Sequence, residues 1–104
     1  PVQAGPLTID RLDHHVSLRG REVSMTPMEL AVLSALAARP GAVLSRERLI
    51  RLAQGEYYEG YDRNIDTHIK NIRRKLERAE PGWSFIETVH RVGYRFQAKE
   101  KVQP

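Results

Sequence analysis

The sequence predicts an α+β domain built from an amino-terminal antiparallel sheet, three helices and a carboxy-terminal β-hairpin. Three observations predict it. Residues 7–25 alternate apolar and polar side chains with a period of two. From Thr26 the pattern changes to the helical period, with capping residues at the change. After position 82 two extended runs return, separated by a short charged turn.

Leu7-Thr8-Ile9-Asp10, Val16-Ser17-Leu18 and Glu22-Val23-Ser24-Met25 each alternate, and Asp13-His14-His15 and Arg19-Gly20-Arg21 punctuate them. This is the pattern of a meander with one face on a core. Thr26-Pro27-Met28-Glu29 supplies an N-cap, a proline at the first helical position and a glutamate at the third. Leu30, Leu33 and Ala37, with Val32 and Leu36 beside them, form the apolar stripe of a first helix, which Arg39-Pro40-Gly41 ends. Ala42-Val43-Leu44 is a short extended piece. Ser45 caps a second helix from Arg46 to about Ala53, with Leu49, Leu52 and Ala53 inward. A polar, tyrosine-bearing loop follows, then a helix over 63–78. Trp83 to Thr88 and Gly93 to Gln97 flank Val89-His90-Arg91-Val92 as a hairpin, with Trp83, Phe85 and Phe96 assigned to the core. Residues 1–6 are expected to be a loose end or linker remnant, 7–97 the folded domain, and 98–104 a flexible tail.

A chain of 104 residues carries one core and one domain. Hydrophobic content of 40% and charged content of 29% are those of a soluble globular protein, and a cytoplasmic location is expected. There is no cysteine, which excludes disulfides and thiolate metal sites within the chain. No glycine-rich phosphate loop, nucleophile elbow or cysteine–histidine pairing occurs, so neither catalysis nor a cofactor is expected. His14-His15 has no third ligand in view, and Asp66 and His68 point to different sides of a helix. The net charge of +4 favours a polyanionic partner without identifying one.

The distribution of charge is more informative. On a helix over 63–78, Ile65, Ile69, Ile72 and Leu76 fall on one narrow arc. Arg63, Thr67, Lys70, Asn71, Arg74 and Arg78 lie opposite, Asn64, His68 and Lys75 flank one edge, and Asp66, Arg73 and Glu77 lie on the other. Lysine and arginine neutralise phosphates without reading sequence. Asparagine and threonine offer short donors and acceptors suited to base edges. A helix of this span is about 24 Å long, and the major groove, about 12 Å wide, accepts a helix. The short helix before it completes a helix-turn-helix with an enlarged turn, and the hairpin after it forms a wing whose tip offers a cation to a minor groove. The competing reading is a winged-helix interaction module whose basic face docks an acidic protein. Asn64, Thr67 and Asn71 among the cations favour base reading.

Several of these segments resemble the OmpR/PhoB-type DNA-binding domain of two-component response regulators, from about Leu7 to Phe96. The carriers are Met25-Thr26-Pro27-Met28-Glu29-Leu30, Arg39-Pro40-Gly41, Ser45-Arg46-Glu47, the run from Asp62 to Leu76, and Thr88-Val89-His90-Arg91-Val92-Gly93-Tyr94-Arg95-Phe96. The resemblance implies a four-stranded amino-terminal sheet, three helices and a wing, binding to tandem half-sites of double-stranded DNA, and an upstream receiver domain in the full-length protein. It assigns Asn64, Thr67 and Asn71 to bases. Arg63, His68, Lys70, Arg73, Thr88 and Tyr94 are assigned to phosphates, with Arg74 added from the helical wheel. The family's wing often carries Arg-Gly where this chain has His90-Arg91, so the minor-groove cation is Arg91, or His90 when protonated. Glu56, Tyr57, Tyr58, Glu59 and Tyr61 match the segment that contacts RNA polymerase in some members.

Overall fold

In a computed structural model, which describes residues 1–55 and 64–102, the chain forms a four-stranded sheet, a helical layer and a three-stranded sheet. The elements are β1 (Val2–Ala4), β2 (Leu7–Asp10), β3 (His15–Leu18), β4 (Arg21–Glu22), α1 (Pro27–Ala37), β5 (Val43–Leu44), α2 (Arg46–Gln54), α3 (Ile65–Ala79), β6 (Trp83–Val89) and β7 (Gly93–Glu100). The first sheet runs in the order β1-β2-β3-β4, all antiparallel, and the second in the order β5-β7-β6. Among the described residues no helix is long and apolar enough to cross a membrane.

Two chain ends differ from expectation. Residues 2–4, expected to be loose, pair with β2 in the register Val2↔Ile9 and Ala4↔Leu7. Residues 98–100, expected to begin a flexible tail, continue β7, with Lys99 opposite Ser84 and Glu100 opposite Trp83. In both cases the strand next door leaves backbone donors and acceptors along its edge, and pairing satisfies them. Pairing of this kind needs no apolar pattern in the added strand, so periodicity missed it. The last strand of the meander, β4, is also shorter than its alternation suggests. It stops at Glu22, and Val23, Ser24 and Met25 lead into the cap of α1.

Gly5 turns β1 into β2 at φ 56°, and a Cβ on it would stand 2.6 Å from the Trp83 ring. That contact joins the two sheets, and Trp83 continues into a stack with Phe85 and Phe96 at centroid separations of 6.2 and 6.4 Å. The core lies between the sheets and the helices and contains Leu7, Ile9, Leu18, Leu33, Leu36 and Leu49, all fully buried. On α2 the inward residues are Leu49 and Ile50, whereas Leu52 and Ala53 are only half-buried. Gly93 begins β7 where it crosses β5. A Cβ there would overlap the Leu44 carbonyl oxygen, so only glycine permits the pairing that anchors the wing.

The capping box predicted at Thr26 is present. Glu29 N donates to Thr26 Oγ1 at 3.1 Å, and Thr26 N donates to Glu29 Oε1 at 2.9 Å. The same carboxylate, 3% exposed, accepts from Lys75 Nζ of α3. Burial raises the Glu29 carboxyl pKa, but the Lys75 ammonium and the Thr26 amide overcome that and leave it below the usual carboxylate value. One side chain therefore starts α1 and fastens α3 to it.

Replacement of Glu29 by alanine strands Lys75 and the Thr26 amide, and is expected to lower stability by about 3 kcal/mol in denaturant titrations. Because the folded-state pKa is depressed, the contribution of Glu29 is complete above the ordinary carboxylate pKa, roughly 4.3, and is lost as pH falls through the lowered value. Acid titrations of the two proteins should therefore converge at low pH, and parallel curves would contradict the assignment.

Candidate nucleic-acid interface

The third helix sets the geometry. Ile65, Ile69, Ile72 and Leu76 are 0–3% exposed, as their spacing predicts. Thr67, Lys70, Arg74 and Arg78 are exposed on the opposite side, with Asn71 and His68 half-buried beside them. The helix begins at Ile65 with Asn64 as N-cap, not at position 63. Thr67 Oγ1 donates to Asn64 Oδ1 at 2.9 Å, so two of the residues assigned to base edges hold each other in place. Arg63, Glu56, Tyr57, Tyr58, Glu59 and Tyr61 lie outside the described residues.

Each edge of the helix is fastened to a different part of the domain. Lys75, on one edge, pairs with Glu29 of α1. On the other edge, Arg73 donates from Nη2 to the Ile86 carbonyl at 2.9 Å and to Thr88 Oγ1 at 2.7 Å. Its guanidinium carbon stands 5.6 Å from the centre of the Tyr94 ring. Tyr94 is 5% exposed, and its hydroxyl donates to Asp66 Oδ1 at 2.5 Å. Arg73, Thr88 and Tyr94, read from sequence as separate phosphate contacts, thus form one internal network between α3 and the wing strands. Among the described residues the exposed cations on the open face are Lys70, Arg74 and Arg78, whereas Arg73 is half-buried.

Asp66 completes the network, a position that the sequence pattern did not single out. Its Oδ1 also accepts from Arg46 Nε of α2 at 2.7 Å, and the Arg46 guanidinium stands 5.2 Å from the Tyr94 ring centre. The Tyr94 hydroxyl and then Arg46 hold the Asp66 carboxyl below its usual pKa. Burial and the neighbouring carboxylate push the Tyr94 phenol up, and Asp66 raises Arg46 further. All three groups therefore keep their ordinary charge states near neutrality. Positions 46, 66 and 94 are remote in sequence, and a helical wheel of α3 alone shows Asp66 only as an acidic residue at an edge.

At the wing tip, Val92 N donates to the Val89 carbonyl at 2.9 Å and Arg91 takes φ 67°. His90 and Arg91 are both exposed there. The far end of α3 is closed by the first sheet: Arg21 Nη2 donates to the Ala79 carbonyl at 3.1 Å, and Arg19 pairs with Glu80 at 2.8 Å. These are cations where the helix dipole favours them.

Sheet, helix-turn-helix and hairpin, with a basic helix face left open beside the hairpin, define a winged helix-turn-helix domain of the DNA-binding class. The chain belongs to the OmpR/PhoB-type family of regulator DNA-binding domains, whose model, "Transcriptional regulatory protein, C terminal", matches residues 20–96. It is 45% identical over 93 residues to the transcriptional regulatory protein BaeR of Escherichia coli, covering 89% of this chain and 39% of BaeR. It is 40% identical over 91 residues to AfsQ1 of Streptomyces coelicolor, covering 88% of this chain and 40% of AfsQ1. The chain thus spans about two fifths of the length of the curated relatives it matches. Among solved structures, the DNA-binding domain of CpxR from E. coli superposes with a TM-score of 0.75 at 31% identity, over 92% of this chain and 95% of that one. The Klebsiella pneumoniae RstA DNA-binding domain, in complex with the RstA box, gives a TM-score of 0.75 at 33% identity, over 91% and 94%.

Removing the Tyr94 hydroxyl in Tyr94→Phe is expected to raise the Asp66 carboxyl pKa toward its ordinary value, as followed by carboxyl-detected NMR titration. The accompanying loss of stability should be about 1 kcal/mol, the net worth of one hydrogen bond. An unmoved Asp66 titration would mean that Arg46 alone sets it.

Proposed function

We propose that this domain binds double-stranded DNA sequence-specifically and acts in transcription regulation as the output domain of a two-component response regulator. Helix α3 enters the major groove and the wing tip approaches the adjacent minor groove. The observation that carries this reading is the open face of α3, where Asn64, Thr67 and Asn71 stand among exposed cations while the opposite face is buried. A solvated face needs no base-length amides among its cations. A base-reading face does.

On this reading Asn64, Thr67 and Asn71 meet base edges. Lys70 and Arg74 hold phosphates directly, together with Arg63 and His68. Arg73, Thr88 and Tyr94 form the prearranged polar edge against which the backbone settles. Arg91 is the wing cation, joined by His90 when protonated. RstA, whose domain is 33% identical, is solved on its DNA box, which supports the same mode here. The resemblance to the response-regulator family implies that the domain follows a receiver domain in the full-length protein and binds tandem half-sites, and the relatives it matches are more than twice its length. The segment with Glu56, Tyr57, Tyr58, Glu59 and Tyr61 is then the surface offered to RNA polymerase.

The test compares two pairs of variants on duplexes selected from a random library and on random DNA. Asn71→Ala and Thr67→Ala should each lose about 1–3 kcal/mol on the selected duplex and little on random DNA. Lys70→Ala and Arg74→Ala should weaken both alike. With about six phosphate contacts, the log–log salt slope of the parent domain is expected near −5. Identical behaviour of all four variants on both duplexes would end the division of roles.

A further inference from the structure

We infer that the groove between α1, the end of α2 and the β2–β3 turn is a docking site for an acidic amphipathic helix of a partner protein. The inference goes beyond the DNA-binding reading and does not depend on it, because among the described residues none from α3, β6 or β7 lines the groove.

The groove has a volume of about 630 Å³, and its floor is one face of α1. Ala31, Ala35 and Ala38 follow one another there at spacings of one helical turn, with Leu30 beside them, and Leu52 and Ala53 of α2 make a wall. Side chains this short let a second helix lie close, toward the near end of the usual interaxial range of about 8–10 Å. The floor runs the length of α1, 11 residues, or about 16 Å, the span of a three-turn partner helix. Apolar side chains on one face of such a helix would cover the alanines and leucines, the helix-in-groove mode of recognition.

Charge decides what the flanks of that helix carry. Arg11 and His14 come from the β2–β3 turn and Arg39 from the end of α1. Arg11 and His14 are exposed, with neither an ion pair nor a hydrogen-bonded partner for their side chains among the described residues. The Arg39 guanidinium donates only to the Ala35 carbonyl, at 3.4 Å. Among the described residues no aspartate or glutamate lines the groove. Asp10, beside the turn, is committed to the amides of Leu12 and Asp13 at 3.1 and 3.2 Å. Ser34 lies in the floor, 7% exposed, and its hydroxyl has no partner among the described residues. A donor so placed gains by meeting an acceptor, and a carboxylate is the strongest acceptor a protein side chain offers. Apolar floor, free hydroxyl and unpaired cations together select leucine-type side chains flanked by glutamate or aspartate.

The probe is a stapled helical peptide of about 14 residues with leucines at i, i+3, i+4 and i+7 and glutamates beside them, together with a twin carrying lysine for every glutamate. Binding is followed by amide shift mapping on the domain and by peptide anisotropy, with the domain free and on a library-selected duplex. The proteins are the parent, Arg11→Glu and Ala31→Glu. The acidic peptide is expected to move amides of residues 11–14, 30–39 and 52–53 and to bind equally with and without duplex. Each variant should weaken it by about tenfold or more, while Tm and duplex affinity stay at the parent's values. Arg11 sits in an exposed turn, so Arg11→Glu decides the matter even where Ala31→Glu lowers Tm. The inference fails if the lysine twin binds as well, or if both variants bind like the parent. It fails too if the shifts centre on α3 and the duplex displaces the peptide, which would then be a mimic of DNA. Decanoate reproducing the shifts where the peptide does not would make the groove a small-molecule site instead. Shifts there that grow with domain concentration alone would make its occupant a second copy. A parent domain that bound no duplex would count against the proposed function and leave the result at the groove standing.

Discussion

Burial of four side chains on α3 sets the rotation of that helix, and the rotation decides which residues meet anything outside the domain. Ile65, Ile69, Ile72 and Leu76 are withdrawn from water almost completely, each contributing about 1.5–3 kcal/mol relative to exposure. A turn of the helix by one residue, 100°, would bring polar side chains into the core and an isoleucine to the surface. Neither change can be absorbed by a tightly packed interior. The asparagines and threonine on the far side are held outward by this energy and need no interaction of their own to face solvent.

Rotation alone would leave the helix free to slide or tilt, and polar contacts at its edges prevent that. Glu29 and Lys75 tie one edge to α1. Arg73, bonded to the Ile86 carbonyl and Thr88, ties the other edge to the wing. Arg19 and Arg21 close its carboxyl end from the first sheet. Each bond is worth only a kcal/mol or so net, but their directions differ, and together they leave one placement. The wing is fixed by the same contacts, so helix and wing reach a duplex as one rigid body, and little ordering remains to be done on binding.

The same network redistributes charge. A helix that must approach a polyanion carries Asp66 at its first turn, and the structure surrounds that carboxylate with Arg46 and the Tyr94 hydroxyl. An unpartnered carboxylate there would oppose association at every sequence. Paired, it orients a guanidinium and a ring. Arg73 shows the converse: a cation placed by sequence among the ligand contacts is largely committed to the domain's own backbone, and Arg74, one residue on, faces outward.

Local pattern determined much of this protein. Alternation at 7–18, the Thr26–Glu29 box, the arc of Ile65, Ile69, Ile72 and Leu76, and the paired runs around Val89-His90-Arg91-Val92 state their elements within a few residues, because the periods of strand and helix are local geometry. The amides and cations of α3 could be named as an outward face for the same reason. Only the tertiary structure decided the pairing of Val2–Ala4, the reach of β7 to Glu100 and the meetings of Glu29 with Lys75 and of Arg46 with Asp66. Those pairs lie 46 and 20 residues apart. No periodicity encodes such a meeting, since it depends on where packed elements bring their edges together.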